Sequence, residues 1–195
     1  MKAVRRVVGR AMPLDRPNVD TDQIIPAHWL RSIARTGYGP GLFEAWRKDP
    51  AFVLNDPRYQ GASILVTGPN FASGSSREHA AWALLENGFA AVIAPSFADI
   101  FRSNAAKNGL LTVELPAADV ERLLRAVERD PATEIAIDVE QRTVVGAGVT
   151  GEFPLDEDVR RRLLEGLDDI AATLAHAEDL ARYEAARPPW RPRVA

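Results

Sequence analysis

Residues 74–80, GSSREHA, place a glycine, two hydroxyls, a guanidinium, a carboxylate and an imidazole directly ahead of the apolar helical pattern AAWALLENG. Two chemistries fit. Ser75 followed three residues later by Glu78 has the spacing of a capping box, in which each side chain satisfies a free backbone N–H at a helix start. Gly74 permits the turn before it. That structural account covers Gly74, Ser75 and Glu78 and leaves Arg77 over, because a cation in the first turn opposes the helix dipole. With an anion at the helix end, free N–H groups, the dipole and a guanidinium fork all attract a carboxylate or phosphate. The same potential would favour a serine oxyanion, so Ser75 could act as a base as well as a cap. Ser76 shares the corner. His79, one helical turn on, is read first as a structural histidine bonding neighbouring loops and second as a ligand to substrate.

Rival motifs are missing. No lysine follows Gly74 as GxxxxGK[ST] requires, GxGxxG is absent, and Ser75 is not in a G-x-S-x-G elbow. The chain has no cysteine, which excludes a thiol nucleophile and any cluster held by its own thiolates. His28, His79 and His176 are scattered and form no HxH or HExxH pair, so no metal site is expected on this chain.

The elements that must position this corner follow from periodicity. RRVVGRAM (5–12) reads as a first strand, running into a Pro/Asn/Asp-rich loop, PLDRPNVDTDQIIP. Residues 27–48 mix aromatics with Arg31, Arg35, Arg47 and Lys48 against Glu44, and glycines and proline stop any long helix there. A connection of that length is functional or disordered, and its aromatics argue for the former. Apolar runs 62–68, 90–96 and 110–115 alternate with helical patterns at 76–86 and 97–107, which predicts parallel βα units. Residues 117–130 form an amphipathic helix through Val120, Leu123, Leu124 and Val127, 134–148 a hairpin, and 156–175 one helix through Val159, Leu163, Leu167, Ile170 and Leu174.

The 195 residues are expected to form a single domain, since roughly 100–200 residues per domain is usual. A net charge of −3 gives no field to recruit nucleic acid. There is no basic-then-apolar leader and no apolar run near ~18 residues, so neither secretion nor membrane insertion is expected, and a cytoplasmic location is.

Together NVDTDQIIPA (18–27), RTGYGPGLFEAW (35–46), FVLNDPRYQGASILV (52–66), NFASGSSREHAAWAL (70–84) and APSFADIFRSNAAKNGLL (94–111) closely resemble the small subunits of 3-isopropylmalate dehydratase, a branch of the aconitase superfamily. The resemblance runs from about residue 4 to residue 186 and leaves the proline-rich tail 187–195 without a counterpart. It implies an α/β fold, a swivelling β/β/α domain with a mixed sheet or small barrel and packed helices. It implies a hydro-lyase subunit that interconverts 2-isopropylmalate and 3-isopropylmalate by dehydration and rehydration in leucine biosynthesis. It further implies a large-subunit partner carrying a 4Fe-4S cluster, so that this chain supplies half of an active site for a hydroxy-dicarboxylate. Carried over by motif, Ser75 matches the serine that removes the carbon-bound proton, and Arg77 an arginine that holds a substrate carboxylate and stabilises the serine oxyanion. Asp22, in TDQIIP, matches an aspartate lining the site in a supporting polar role. A further substrate arginine falls on Arg35, or on Arg31 if the register shifts. His28, Trp29 and Leu30 fall in the loop that sorts substrates by the group on the variable carbon, with Leu30 placed to meet an isopropyl group; a merely structural hydrophobic loop is the alternative. Related subunits for homoaconitate or a methylmalate, or a non-enzymatic anion-binding module, would share most of these features.

Overall fold

A computed structural model describes residues 1–32, 34–188 and 190–191. Its frame is one seven-stranded sheet in the order β4-β3-β2-β1-β5-β6-β7. Strand β1 (Arg6–Leu14) belongs to both halves of it. Ala11–Leu14 pair in parallel with β2 (Ile64–Thr67), while Arg6–Arg10 pair antiparallel with β5 (Glu134–Asp138). Beyond β2 lie β3 (Ala91–Ala94) and β4 (Leu111–Glu114), both parallel; beyond β5 lie β6 (Thr143–Gly146) and β7 (Val149–Glu152), both antiparallel.

The two halves read differently because they are covered differently. Every residue of β2 and β3 is buried, the continuous apolar pattern of parallel strands with helices on both faces. The expected βα alternation is present: α2 (Glu78–Glu86) follows β2, α3 (Asp99–Asn108) follows β3, and α4 (Ala117–Arg129) follows β4. Val120, Leu123, Leu124 and Val127 of α4 are buried as its periodicity requires, and the helix packs across β1, β2, β3 and β7. The expected hairpin 134–148 is part of a three-stranded meander. Ala147 and Gly148 both adopt left-handed φ, of 52° and 75°, and turn the chain into β7, which the apolar pattern had not marked.

The helix expected over 156–175 is two. α5 (Glu157–Glu165) stops at Gly166, whose φ of 71° is a left-handed C-cap, and Asp168 caps a new helix α6 (Asp169–Leu174) by accepting from the Ala171 N–H at 2.8 Å. Only Leu163 of the proposed apolar face is fully buried; Ile170 and Leu174 are exposed. The last helix is α7 (Ala177–Ala185). Of the tail 187–195, positions 189 and 192–195 lie outside the described residues. No described helix is long and apolar enough to cross a membrane.

The described residues of the long stretch 27–59 form a chain of 3-10 turns rather than one element, with Ala27–Arg31, Gly39–Gly41, Trp46–Lys48, Val53–Asn55 and Pro57–Tyr59 each closing a turn. Phe43 stacks on Trp46 and Phe52 meets both at steep angles, at centroid distances of 5.3–5.8 Å, which gives it a core of its own. Arg47, one of the basic residues of this stretch, donates to the Asn87 side chain at 3.1 Å and is partly buried at the end of α2.

Candidate functional site

The parallel half of the sheet delivers its loops to one place. At the carboxyl ends of β1, β2 and β3, segments 15–20, 68–77 and 95–98 continue as isolated bridges, Asp20 beside Ser73 and Phe71 beside Phe97. Backbone bonds lace them together: Asn18 N–H to Pro69 O at 2.8 Å, Thr21 N–H to Ser73 O at 2.9 Å and Phe71 N–H to Ser96 O at 3.1 Å. Gly68 permits this approach, since a Cβ there would stand 2.6 Å from the Arg16 carbonyl oxygen. The carboxyl ends of parallel strands are where open α/β sheets commonly place ligands.

Within this corner Asn70 and Ala72 carry left-handed φ of 57° and 60°, and Gly74 a φ of 89°. For Ala72, a buried non-glycine, this is a strained conformation of the kind that persists where surrounding structure enforces it. The backbone thereby reaches Ser75 and Ser76, both exposed, before α2 begins.

The capping box expected at Ser75 and Glu78 is not formed. The N-cap of α2 is Arg77, with φ −133° and ψ 107°, and no side chain caps the helix. Glu78 turns instead toward α3, accepting from the Asn108 side-chain amide at 3.0 Å. The reason is positional: Gly74 and the extended Arg77 backbone delay the first helical residue to Glu78, beyond the reach of a Ser75 cap. A true capping box occurs in the opposing loop, where Asp20 accepts from Gln23 N–H at 2.8 Å and Gln23 accepts from Asp20 N–H at 2.9 Å, starting the single turn α1 (Thr21–Ile24).

That turn presents Asp22 to Arg77. The two meet as a fork on a carboxylate, with Nη1 to Oδ1 at 2.6 Å and Nη2 to Oδ2 at 2.8 Å, and Nη1 also donates to Ile25 O at 3.0 Å. The guanidinium is only 8% exposed, whereas the Asp22 side chain is 61% exposed, so the pair has an open carboxylate side and a buried cationic side. The bonds from Arg77 hold the Asp22 carboxyl below its ordinary acidity constant, against a smaller opposing cost of desolvation. Sequence spacing separates these residues by 55 positions; the sheet brings them together.

The remaining candidates lie on the neighbouring segment. Leu30 is half-buried, and Arg31 and Arg35 are exposed with no ion pair among the described residues. Ile33, between them, lies outside the described residues. His79 sits against two aromatic rings, edge-on to Tyr38 at 4.9 Å and tilted on Trp82 at 4.8 Å, and burial pushes its pKa down from 6.5. This packing matches the structural reading of His79, with edge-on and tilted aromatic contacts in place of the hydrogen bonds expected. Two residues the motifs did not mark also belong here. Tyr38 and Glu44 reach into the turn that carries Leu30; both lie in RTGYGPGLFEAW, but nothing in that segment assigned either a role. No described group of three His, Asp or Glu side chains could hold a metal ion. The ~220 Å³ cavity lined by Phe97, Arg102, Ser103, Glu114, Leu155 and Val159 includes none of these candidates.

Comparisons with known proteins agree with this architecture. Residues 1–118 match the family described as the aconitase C-terminal domain, and residues 169–195 match the C-terminal domain family of 3-isopropylmalate dehydratase small subunits. The second match runs through the tail that had seemed to lack a counterpart. The chain is 58% identical over 195 residues to a 3-isopropylmalate dehydratase small subunit from Parafrankia, covering all of both chains. It is 58% identical over 194 residues to that of Streptomyces coelicolor, covering 100% of this chain and 98% of the other. A crystal structure of 3-isopropylmalate dehydratase from Methanocaldococcus jannaschii superposes with a TM-score of 0.67 at 26% identity, covering 91% of this chain and 99% of that one. The chain belongs to the aconitase C-terminal domain family and, within it, to the small subunits of 3-isopropylmalate dehydratase.

Proposed function

We propose that this small subunit joins a cluster-bearing large subunit to interconvert 2-isopropylmalate and 3-isopropylmalate, and that its own share of the work is the proton and the carboxylate. The observation that supports this reading is the Asp22–Arg77 fork beside exposed Ser75 at an uncapped helix start. A hydroxy-dicarboxylate needs a donor array for its negative charge and a base for the hydrogen on the carbon next to the departing hydroxyl. In elimination the C–H electron pair becomes the new C=C bond, the proton passes to the Ser75 oxyanion, and the hydroxyl leaves as water with a second proton drawn from solvent or the large subunit; rehydration delivers the Ser75 proton to the neighbouring carbon. A serine takes a carbon-bound proton only if its oxyanion is stabilised, and the open N-terminus of α2 and the Arg77 guanidinium supply positive potential there.

Arg77 is already occupied by Asp22, which changes its expected role. The substrate carboxylate shares the array with Asp22, or displaces it from part of the fork. Asp22 therefore sets the orientation of the guanidinium before substrate arrives. Ser76 borders the same open corner, and Arg31 or Arg35 meets the second carboxylate from the adjoining loop, with Leu30 toward the isopropyl group. His79 acts through packing.

The residues of this chain do not fit an iron–sulfur cluster, because it has no cysteine and no described trio of alternative ligands. We assign the 4Fe-4S cluster to the large subunit. The reading is tested by reconstitution. The purified chain alone has no dehydratase turnover, and mixing it with a cluster-loaded large subunit yields activity that Ser75→Ala removes. Turnover by this chain with no second protein would refute the division of labour.

A further inference from the structure

The turn that carries Leu30 and Arg31 is held from both sides by side chains that no motif singles out. On its first side Glu44 Oε2 accepts from Trp29 Nε1 at 2.5 Å and from His28 Nε2 at 3.0 Å, so one carboxylate oxygen fixes the two residues before Leu30. The Trp29 ring lies flat on Gly41, where a Cβ would come within 2.8 Å of the indole. On the second side the Tyr38 hydroxyl donates to Ala34 O at 2.6 Å, with Ser32 O at 3.2 Å, from a ring that is 1% exposed. That ring is fixed in turn against His79 and Trp82 of α2, the helix whose start bears Arg77. The chain on either side of Tyr38 is tied to the other end of α2, where the Glu86 carboxylate accepts from Gly37 N–H at 2.9 Å and Gly39 N–H at 2.7 Å. The turn enters just after Ile25, whose carbonyl accepts from Arg77.

The helix that begins at Arg77 is thus also the helix against which the loop is braced. A single tyrosine ring would be enough to pack such a surface; hydrogen bonds from its hydroxyl to loop carbonyls, and a carboxylate shared by two loop side chains, fix a geometry instead. Fixing a binding loop before substrate arrives lowers the ordering cost charged to binding and leaves the barrier to chemistry alone.

We propose that Glu44 and Tyr38 are positioning residues for the substrate's variable group: together they hold the 27–32 turn and its Leu30 at a set distance from the Arg77 end of α2. The proposal rests on the reading that this loop receives the isopropyl group. Neither residue touches the reacting atoms.

The test uses the enzyme reconstituted from this chain and its large subunit, assayed with 2-isopropylmalate and with 2-methylmalate. Tyr38→Phe keeps the buried ring and deletes the hydroxyl; Glu44→Ala deletes the shared acceptor; Glu44→Gln restores an oxygen acceptor for Trp29. Tyr38→Phe and Glu44→Ala are each expected to raise KM for 2-isopropylmalate by about fivefold to tenfold, the size of one hydrogen bond lost, with kcat within about twofold. The preference for 2-isopropylmalate over 2-methylmalate narrows in both, and Glu44→Gln returns KM to within about twofold of wild type. A merely structural role would reduce the fraction of active enzyme, which lowers kcat at unchanged KM; that result overturns the proposal, as does Glu44→Gln behaving like Glu44→Ala. If Tyr38→Phe fails to assemble, the Glu44 pair decides alone. Wild-type enzyme inactive on 2-isopropylmalate would instead overturn the functional reading on which the proposal stands, while active wild type with unchanged KM in the variants overturns the positioning role only.

Discussion

Two helix starts face one another in the site, and they are built in opposite ways. α1 opens with Asp20, whose carboxylate and backbone N–H both find partners in Gln23, and whose next acid, Asp22, suits the positive end of the dipole. α2 opens with Arg77, a cation where an anion is favoured, and no side chain caps it. The capped start is one turn long and serves to aim Asp22. The uncapped start belongs to a nine-residue helix and, although Glu78 stands in its first turn, leaves the N-cap without a side-chain hydrogen bond. One is a fastening and the other an opening. The lesson is that local satisfaction at a helix end marks structure, while local dissatisfaction supported from elsewhere in the fold marks function.

The sharpest way to break this contrast is Ser75→Ala. The side chain is exposed and caps nothing, so thermal stability is expected to change by no more than about 0.5 kcal/mol. Turnover of the reconstituted enzyme is expected to fall by a factor of about 10²–10⁴, the range for a positioned proton-transfer group. A variant that melts earlier yet turns over normally would make α2 an ordinary capped helix. Arg77→Lys comes next. Lysine keeps the charge but not the fork, so the two bonds to Asp22 and the one to Ile25 O cannot all survive. Turnover should drop about a hundredfold, and because the guanidinium is buried the melting temperature should drop with it. Wild-type kinetics in this variant would return Arg77 to a purely structural role.

Asp20→Ala probes the other start, and its effects should be reversed in kind. Losing the cap is expected to cost about 1 kcal/mol, or about 2–4 °C of melting temperature for a chain of this size. Turnover should fall only modestly, since Asp22 is still tethered by Arg77. Scanning calorimetry beside steady-state kinetics reads both quantities. A hundredfold loss of turnover with unchanged stability would mean that the two starts do not divide fastening from chemistry.

How much of this could be read beforehand follows the same division. The parallel strands were legible because β2 and β3 are buried on both faces and so are apolar but for Thr67. β7 was not, because Val149–Glu152 holds a single fully buried residue and its strand is defined by the Ala147–Gly148 turn rather than by hydrophobic pattern. The break at Gly166 was hidden by an apolar spacing that continues through Ile170 and Leu174 although neither is buried. In the site, Ser75 and Arg77 stood out through residue type and spacing, and the misfit of Arg77 with the dipole was the physical clue. The capping box was misplaced because S-x-x-E spacing says nothing about where left-handed and extended backbone delays a helix. The Asp22–Arg77 fork spans 55 positions, so it depends on the register of β1 against β2, which no local pattern contains.

The smallest expected effect concerns pH, and it again separates the two sides of the corner. Asp22 titrates below its ordinary 3.8 because Arg77 bonds its charged form. Its contribution to stability is therefore present above pH 3.8 and lost as pH falls through the lowered folded value. His79 is also depressed, here because burial among Tyr38 and Trp82 disfavours the cation, with Glu78 opposing and Arg77 reinforcing that shift. The sign follows from proton counting: below 6.5 the unfolded chain binds a proton that the folded imidazole does not, so stability falls as pH drops from 6.5 toward the folded value. His79→Phe keeps an aromatic ring in the cluster and removes the titration. The difference between wild-type and His79→Phe unfolding free energies should therefore be flat above about pH 7 and decline as pH drops from 6.5 through the depressed folded value. The acid limb, to which Asp22 contributes beside the similarly lowered Glu44, Asp56, Asp158 and Asp169, should remain in both proteins and shrink in Asp22→Asn. Urea denaturation at half-unit pH intervals resolves the two limbs. A wild-type profile parallel to His79→Phe throughout would show that the ring is solvated when folded, and that the wall on which Tyr38 rests is looser than its packing indicates.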